Sequence, residues 1–380
     1  MKKTIAAILS VFLCLSLCGC WNRREIGKIA IVMGFAVDKG EKEDEIEITA
    51  QIANTRTISS ASEGKDGGAK PKPYLNLSST GDYVFPSIRS SVSKSGSKLY
   101  MAHNYVVLFG RETAEEGLGN YMDFFLRDHE LRLDMHLLVA REKGADVLDV
   151  NAGFQSIPSL HIHDLIQAQK QLSTGMTVTV FDYMNKLAAG RGAPLIPLIE
   201  ISKSGGEDVL HMSGTAVFSG DKMIGALSER ETRGLLWATD EVEQAVLMVP
   251  LGEERIGIEV LRAKGGMKAE LGEGGNVTMV ISAEAEGALG SERGKENYTT
   301  PEGIDRLLNA FAKEIESEIR ACLAKGRTLS ADVFGFSDVL YRYHPKKWES
   351  MQNTAFYDLP VRIEVKTKID SSGRIGRPVK

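Results

Sequence analysis

Three of the four cysteines in this chain stand close together near its start, at Cys14, Cys18 and Cys20. Clustered thiols can hold a metal ion or form a disulfide framework. A structural zinc ion takes about four ligands, yet the histidine nearest in sequence is His103. Cys14 and Cys18 also lie inside an uncharged apolar run, where a thiol behaves as a small hydrophobic group. The position of the cluster therefore argues against both kinds of site.

The apolar run, TIAAILSVFLCLSLCG (4–19), has the features of a bacterial secretion signal. Two lysines precede it, and it is roughly four residues shorter than the ~20 residues that a permanent transmembrane helix needs. The run leads into LCGC (17–20), which resembles the signal of bacterial lipoproteins. An apolar residue stands at position −3, and the minimal side chain of Gly19 at −1 leaves the bond before Cys20 open to a peptidase.

The LCGC stretch predicts the fate of the N-terminus. Residues 1–19 are expected to be a lipoprotein signal peptide that is removed, and Cys20 is expected to carry a diacylglycerol and an N-acyl chain. Each buried methylene contributes ~0.8 kcal/mol, so two or more acyl chains anchor a protein stably to a membrane. The alternatives are an uncleaved anchor and an ordinary signal peptide in which the cysteine is accidental. No later window is apolar and long enough to predict a membrane span.

Elsewhere, the stretch HIHD contains the densest group of potential metal ligands, His161, His163 and Asp164. The two histidines would share a face on a strand and diverge on a helix. Because no third ligand has supporting spacing, a polar surface or the start of a helix is the preferred interpretation. The stretches GRGAP (190–194) and GEGG (272–275) lack the context of a phosphate-binding loop and predict turns. The sequence thus nominates no catalytic residue, metal site or cofactor, and it predicts a protein that is not an enzyme.

Composition and charge limit the class of protein further. Hydrophobic residues make up 43% of the chain and charged residues 26%, as in a globular protein. The net charge is −5, and it becomes −7 when residues 1–20 are set aside, so nucleic acid is a poor candidate partner. A chain of 380 residues is too long for one ordinary core and suggests two or three domains.

Strands and helices are predicted to alternate in the first half of the mature chain. Alternating apolar residues predict an antiparallel hairpin over 29–52. Residues 54–81 are rich in Ser, Gly and Lys and predict a long, flexible exposed loop. The apolar stretch 98–110 predicts a buried strand with His103 as a structural histidine. A helix is expected within 112–131, with Thr113 as its N-cap.

The composition of KSGGED (203–208) predicts a linker between two regions. It would separate an N-terminal α/β region over 20–202, which could comprise two subdomains, from a C-terminal α/β domain over 209–380. The clearest helix of the chain, 301–325, follows an N-cap threonine and ends at a C′ glycine, Gly326. Its apolar stripe predicts packing on a sheet, with Cys322 as an inert core thiol.

Four stretches together resemble the Ger(x)C family, the lipoprotein C-subunits of spore nutrient germinant receptors. Each is similar to a family motif, and they occur in the family's order. The stretches are CWNRREIGKIAIVMGFAVD (20–38), KLYMAHNYVVLFGRETAEEGLGNYMDFFLRDHELR (98–132), SGTAVFSGDKMIGALSERETRGLLW (213–237) and DVFGFSDVLYRYHPKKW (332–348). Single motifs of this kind are weak, but four in order behind a lipoprotein signal are specific.

The resemblance carries expectations about fold and function. It implies an elongated α+β protein of three mixed α/β domains with largely antiparallel sheets. It also implies a non-enzymatic subunit, lipid-anchored on the outer face of the cytoplasmic (spore inner) membrane. That subunit would contact polytopic A- and B-type membrane subunits during nutrient-triggered germination. The runner-up hypothesis is a solute-binding lipoprotein of a transporter, but such proteins usually have two similar lobes of parallel units, which the predicted hairpins do not favour.

Overall fold

The computed structural model describes residues 4–5, 29–42, 44–54, 57, 72–150, 155–291 and 300–371. These residues contain thirteen strands and ten α-helices. The strands are β1 (Ile29–Lys39), β2 (Ile46–Ala53), β3 (Tyr74–Gly81), β4 (Lys98–Tyr100), β5 (Val106–Phe109), β6 (His136–Ala140), β7 (Leu195–Ser204), β8 (Glu207–Ser219), β9 (Lys222–Leu227), β10 (Ala245–Leu251), β11 (Glu254–Leu271), β12 (Val277–Ser291) and β13 (Val361–Ser371). The helices are α1 (Val84–Ser95), α2 (Arg111–Glu116), α3 (Gly119–Arg127), α4 (Gly144–Val147), α5 (Pro158–Leu172), α6 (Val180–Ala189), α7 (Glu229–Thr239), α8 (Pro301–Thr328), α9 (Phe336–Tyr343) and α10 (Pro345–Glu349).

Nine strands form one large mixed sheet in the order β3-β2-β1-β5-β6-β7-β8-β9, with β4 paired to the start of β1. The central strands β1, β5, β6 and β7 are parallel, whereas both flanks are antiparallel. Strands β5 and β6 are buried along almost their whole length, as expected for parallel strands covered on both faces. Helices α1, α2, α3 and α6 cover one face, and α4 and α5 cover the other.

The remaining strands, β10 to β13, form a second sheet in chain order. Helices α7, α8 and α9 pack on one of its faces and enclose a single apolar core. The opposite face carries rows of opposite charge, such as the row in which Arg262 and Lys368 flank Glu286. This pattern, apolar on one face and charged on the other, is typical of a sheet that faces water on one side. The α+β class with mixed, mostly antiparallel sheets is therefore confirmed.

The long helix predicted over 301–325 is α8, and it continues to Thr328. The hydroxyl of Thr300 accepts a hydrogen bond from the Gly303 N–H at 3.1 Å, so the predicted N-cap is confirmed. The predicted end is wrong, because Gly326 lies inside the helix. A Cβ on Gly326 would stand 3.0 Å from a methyl of Val333, so this glycine permits close packing instead of ending the helix. Cys322 is fully buried, and burial raises the pKa of its thiol well above the usual value, as expected for an inert core cysteine.

The loop predicted over 54–81 is wrong over its last eight residues, which form strand β3 at the edge of the large sheet. The pairing uses polar side chains. Thr49 and Ser78 hydrogen-bond each other at 2.8 Å, and the Gln51 amide donates to Asn76 at 2.9 Å. A strand stabilised by polar cross-strand pairs has the composition of a loop, and the sequence pattern could not separate the two.

The linker predicted over 203–208 is instead a tight hairpin between β7 and β8. Lys203 pairs with Asp208, and the turn residues Gly205 and Gly206 have φ of +60° and +91°. Two successive positive φ values are what a two-residue hairpin requires, and glycine supplies them without steric cost. The large sheet therefore continues through this point and ends only with β9.

Two further predictions for the stretch 98–132 are wrong. The predicted strand over 98–110 is interrupted by a turn, and His103 lies exposed in that turn instead of in a buried strand. The predicted N-cap Thr113 lies inside α2, where it is buried, and Gly110 occupies the N-cap position. A Cβ on Gly110 would stand 2.2 Å from the Asp38 carboxylate, so close packing on β1 determines where this helix begins.

Candidate functional site

The predicted lipidation site, Cys20, lies outside the described residues, as do Cys14 and Cys18. After Cys20, the described part of the chain begins at Ile29, which pairs in parallel with Lys98 of β4. Because parallel strands begin at the same edge of a sheet, the chain enters the fold at the edge where β1, β5 and β6 start. That edge is therefore the part of the large sheet nearest in sequence to the predicted anchor.

The stretch 213–237, one of the four that carry the family resemblance, joins the last hairpin of the large sheet to helix α7. Gly214 has a φ of +110°, and a Cβ there would stand 2.1 Å from the carbonyl oxygen of Leu227. The hydroxyls of Thr215 and Thr232 hydrogen-bond each other at 3.0 Å in a fully buried position. The glycine and the threonines of this stretch thus serve close packing between a strand and a helix.

Helix α7 packs on α8 around a buried ion pair. Glu318 is fully buried, and its carboxylate accepts a bidentate interaction from Arg233 and a 2.9 Å hydrogen bond from the indole N–H of Trp237. Gly234 lets the two helices meet, because a Cβ there would stand 2.1 Å from the Glu318 carbonyl oxygen. Through these contacts Glu318 holds α7 against α8.

The turn GRGAP (190–194), which links α6 to β7, contacts helix α9 across the junction between the two sheets. Asp338 accepts hydrogen bonds from Lys186 and, at 3.1 Å, from Nε of Arg191. The Arg191 guanidinium lies over the ring of Tyr341, 3.7 Å from its centroid. A cation–π contact is worth about 0.5–2 kcal/mol. We refer to Lys186, Arg191, Asp338 and Tyr341 as the junction cluster.

Backbone groups of the same turn extend this contact. The Gly192 N–H donates to the Ser337 hydroxyl at 2.8 Å, and the Ala193 N–H donates to the Asp332 carbonyl oxygen at 2.9 Å. The Asp332 carboxylate accepts a hydrogen bond from the N–H of Ser337 at 2.9 Å. It thereby provides a partner for one of the backbone N–H groups that have no acceptor within the first turn of α9. The structure confirms the predicted turn and shows that it is also a contact between the two sheets.

Replacing Asp338 with alanine should lower the free energy of unfolding by about 1–3 kcal/mol, because two cations lose their shared partner. The loss should fall short of that for a fully buried ion pair, since Asp338 keeps 16% of its exposure, Lys186 29% and Arg191 23%. Urea-induced unfolding of the purified protein measures the change. Asp123→Ala, which removes an exposed helical pair with Arg127, is the control. Equal losses in both variants would show that the junction cluster does not join the two sheets energetically.

A cleft of about 650 Å³ lies beside the junction cluster, between the two sheets. Its walls are mostly apolar and come from both sides of the junction: Met176, Val178, Leu195, Leu235, Met267, Val333, Phe334 and Val339. Its charged lining residues are Asp182, Lys186, Asp240, Glu241, Asp338 and Arg342. Volume and lining are in the range of small-molecule sites, which often lie between domains.

Two titratable groups at this cleft have perturbed pKa values. Burial raises the pKa of Tyr183 above its usual value, and its hydroxyl has no hydrogen-bond partner among the described residues. Loss of hydration inside the cleft raises the pKa of Glu241; a hydrogen bond with Thr239 opposes this shift, and the nearby Asp182 carboxylate adds to it. Perturbed groups in a cleft are a physical indication of a functional site.

The HIHD stretch lies at the start of α5, which agrees with the interpretation preferred from the sequence. The His163 ring lies 5.2 Å from that of His136 and 5.1 Å from that of Tyr105. Within the described residues, no three His, Cys, Asp or Glu side chains are grouped so that they could hold a metal ion. In the same part of the chain, no helix has both the length and the apolar character needed to cross a membrane.

Sequence reasoning missed the junction cluster and the cleft. Lys186 and Asp338 are 152 positions apart, and no local pattern says that a glycine-rich turn meets a distant helix. The available signal was the arginine between two glycines in GRGAP, together with the tyrosine and tryptophan in 332–348. The guanidinium of arginine is planar and stacks on aromatic rings, so an arginine in a turn can pair with a tyrosine or tryptophan elsewhere in the chain.

Two protein-family models match this chain, one over its N-terminal part and the other over its C-terminal part. Residues 22–201 match the "Spore germination protein N-terminal domain". Residues 213–373 match "Spore germination B3/ GerAC like, C-terminal". The two matches meet at the hairpin between β7 and β8 and together span nearly all of the chain after Cys20.

Similar proteins match over their full length. The "Spore germination protein KC" of Bacillus subtilis (strain 168) is 24% identical over 403 residues, covering 100% of this chain and 98% of that protein. The "Spore germination protein B3" of the same organism is 24% identical, covering 99% of this chain and 100% of its own length. A solved structure, the "Crystal Structure of the GerBC protein", has a fold similar to that of this chain. The TM-score is 0.58 and the sequence identity 19%, and the match covers 89% of this chain and 97% of the GerBC chain.

Proposed function

Because the chain belongs to the GerAC-like family of spore germination proteins, we propose that it is the lipid-anchored, non-enzymatic C-subunit of a germinant receptor. In this role it is required for nutrient-triggered germination and acts through contacts with polytopic A- and B-type membrane subunits. The observation that carries the proposal is the pair of family matches, in order, directly behind the LCGC stretch. The place of action is the outer face of the cytoplasmic (spore inner) membrane.

Two ionic contacts, one between α7 and α8 and one in the junction cluster, support a role that does not involve catalysis. Glu318 is held by Arg233 and Trp237, and Asp338 is held by Lys186 and Arg191. These side chains are committed to packing and ion pairs, which hold one element against another. The relatives are named as germination proteins and none of their names designates an enzyme.

The distance between the predicted anchor and the fold supports contact with membrane partners. Ile29, where β1 begins, lies nine positions after Cys20. An extended chain spans at most ~3.3–3.6 Å per residue, so the edge of the large sheet at Ile29 lies within about 30 Å of an acylated Cys20. A body held at that distance can reach the exposed loops of polytopic proteins in the same membrane.

Replacing Cys20 with alanine should move the protein from the membrane to the soluble fraction, because no thiol remains to accept the diacylglycerol. Nutrient-triggered germination of spores that carry only this variant should fail. Fractionation of spore membranes and the loss of optical density after nutrient addition measure the two effects. Cys14→Ala is the matched control, since that residue should leave with the signal peptide and both properties should be retained. Normal membrane retention and germination with Cys20→Ala would refute the anchor.

The alternative function, a solute-binding lipoprotein of a transporter, predicts two similar lobes. The two parts of this chain differ in kind: the first sheet has nine strands with a parallel centre, and the second has four strands in chain order. The fold therefore favours the receptor subunit over the transporter component.

A further inference from the structure

We propose that the cleft beside the junction cluster binds a small organic cation, a primary ammonium group carried on an apolar body. The inference does not require the lipid anchor or the partner subunits, so it can fail while the proposed function stands, and the reverse also holds. It adds a ligand site to a subunit otherwise described through its protein contacts.

The size and the walls of the cleft define the body of the ligand. A volume of about 650 Å³ is in the range of sites for small molecules. A stable protein–protein contact, by contrast, buries more than about 1,000 Å² of surface, and a cleft of this size does not offer that area. Met176 and Leu195 come from the side of the large sheet, and Leu235, Met267 and Phe334 come from the side of the small one. An apolar ligand placed here would contact both parts of the protein at once.

The charges of the cleft define the head of the ligand. Lys186 and Asp338 neutralise each other within the junction cluster. Three further carboxylates line the cleft, on Asp182, Asp240 and Glu241, and only Arg342 opposes them. The resulting excess of negative charge repels an anion and attracts a cation.

None of these three carboxylates forms an ion pair with a side chain in the part of the chain that the structure describes. Asp182 accepts hydrogen bonds from the N–H and hydroxyl of Thr179, and Asp240 accepts the Gly265 N–H at 2.7 Å. These donors are neutral and supply no counter-charge, and all three carboxylates are exposed to solvent at the cleft. Loss of hydration is the largest cause of the raised pKa of Glu241, and repulsion by the Asp182 carboxylate adds to it. A bound ammonium group would relieve this repulsion and favour the ionised carboxylate.

The probes are three molecules of equal length: n-butylammonium, n-butanol and n-butyrate. Isothermal titration of the purified full-length protein in detergent should show saturable, one-to-one binding of butylammonium. Butanol and butyrate should bind at least ten-fold more weakly, because they lack the positive charge. Similar binding of all three molecules, or no saturable binding of butylammonium, would overturn the proposal.

Two variants locate the site. Glu241→Gln should weaken butylammonium binding about ten-fold, whereas Glu243→Gln, a neighbouring exposed acid outside the cleft, should leave it unchanged. Thr239→Trp should abolish binding by filling the cleft, with circular dichroism as the check that the variant is folded. If Glu241→Gln binds butylammonium as well as Glu243→Gln does, the cation is not held in this cleft and the proposal is wrong.

Discussion

Replacing Glu318 with alanine should lower the free energy of unfolding by about 3–5 kcal/mol. The carboxylate is fully buried and is the shared acceptor for Arg233 and for the Trp237 indole. Its removal leaves a guanidinium that is only 15% exposed without its counter-charge, and an indole N–H without an acceptor. Desolvated groups that lose their partners account for most of such a cost, because water cannot enter to replace the carboxylate.

Urea-induced unfolding, followed by the fluorescence of Trp237 and the other tryptophans, measures this effect. Glu316→Ala is the matched control on the same helix, because it removes an exposed pair with Arg320 that is worth about 0.5 kcal/mol or less. The double change Arg233→Met with Glu318→Leu should recover much of the loss, since it removes both buried charges. A loss in Glu318→Ala no larger than that in Glu316→Ala would show that the ion pair does not hold α7 on α8.

Replacing Gly234 with alanine should destabilise the protein by about 1–3 kcal/mol or more. On helix propensity alone the same change would stabilise α7 by about 1 kcal/mol. The sign is reversed because a Cβ at this position would stand 2.1 Å from the carbonyl oxygen of Glu318 and 2.6 Å from its carbonyl carbon. These obstructing atoms belong to the backbone of α8, so relief requires the two helices to move apart and loosens the core between them.

Thermal and urea unfolding of Gly234→Ala test this prediction. Ala324→Gly, at an exposed position of α8, calibrates the propensity effect and should cost about 1 kcal/mol. If Gly234→Ala raises the unfolding midpoint, helix propensity outweighs the contact, and the close approach of α7 to α8 is not a constraint on this residue.

Both predictions concern contacts between α8 and the stretch 213–237, which resembles a family motif. Arg233 and Trp237 hold the Glu318 carboxylate, and Gly234 lies against the Glu318 backbone. In the structure, its residues Gly214, Gly234, Thr215 and Thr232 lie where strands and helices come into close contact. Packing therefore accounts for the residue types of Gly214, Thr215 and Gly234. A ligand held in the adjacent cleft would bear on the same contacts, because Leu235 and Thr239 of α7 line it.

Local patterns were sufficient wherever the physics is local. The family prediction rests on motifs read directly from the chain, and the matches over 22–201 and 213–373 confirm it. Thr300 was recognisable as an N-cap because a capping residue bonds an N–H three positions away. The hairpin predicted over 29–52 corresponds to β1 and β2, which pair in antiparallel fashion, since alternation of apolar residues depends only on neighbours along the strand.

Predictions failed where one composition serves two structures. Glycine-rich KSGGED is equally suited to a linker and to a hairpin, and only the pairing of β7 with β8 distinguishes them. The serine-rich edge strand β3 is recognisable as a strand only through its partner β2. Gly326 has the residue type of a helix end, yet its role comes from contact with Val333.

The family, the α+β class and the long helix α8 follow from the order of residues along the chain, because each depends on contacts or recognition within a short segment. The lipoprotein signal at LCGC is a local pattern of the same kind and stays a prediction. Tertiary structure decided the rest. Arg191 meets Asp338 and Tyr341, Arg233 meets Glu318, and the carboxylates of the cleft come together from both sheets. These groups are distant in sequence, and their energies depend on burial and on the partner that each side chain reaches, which only the folded chain defines.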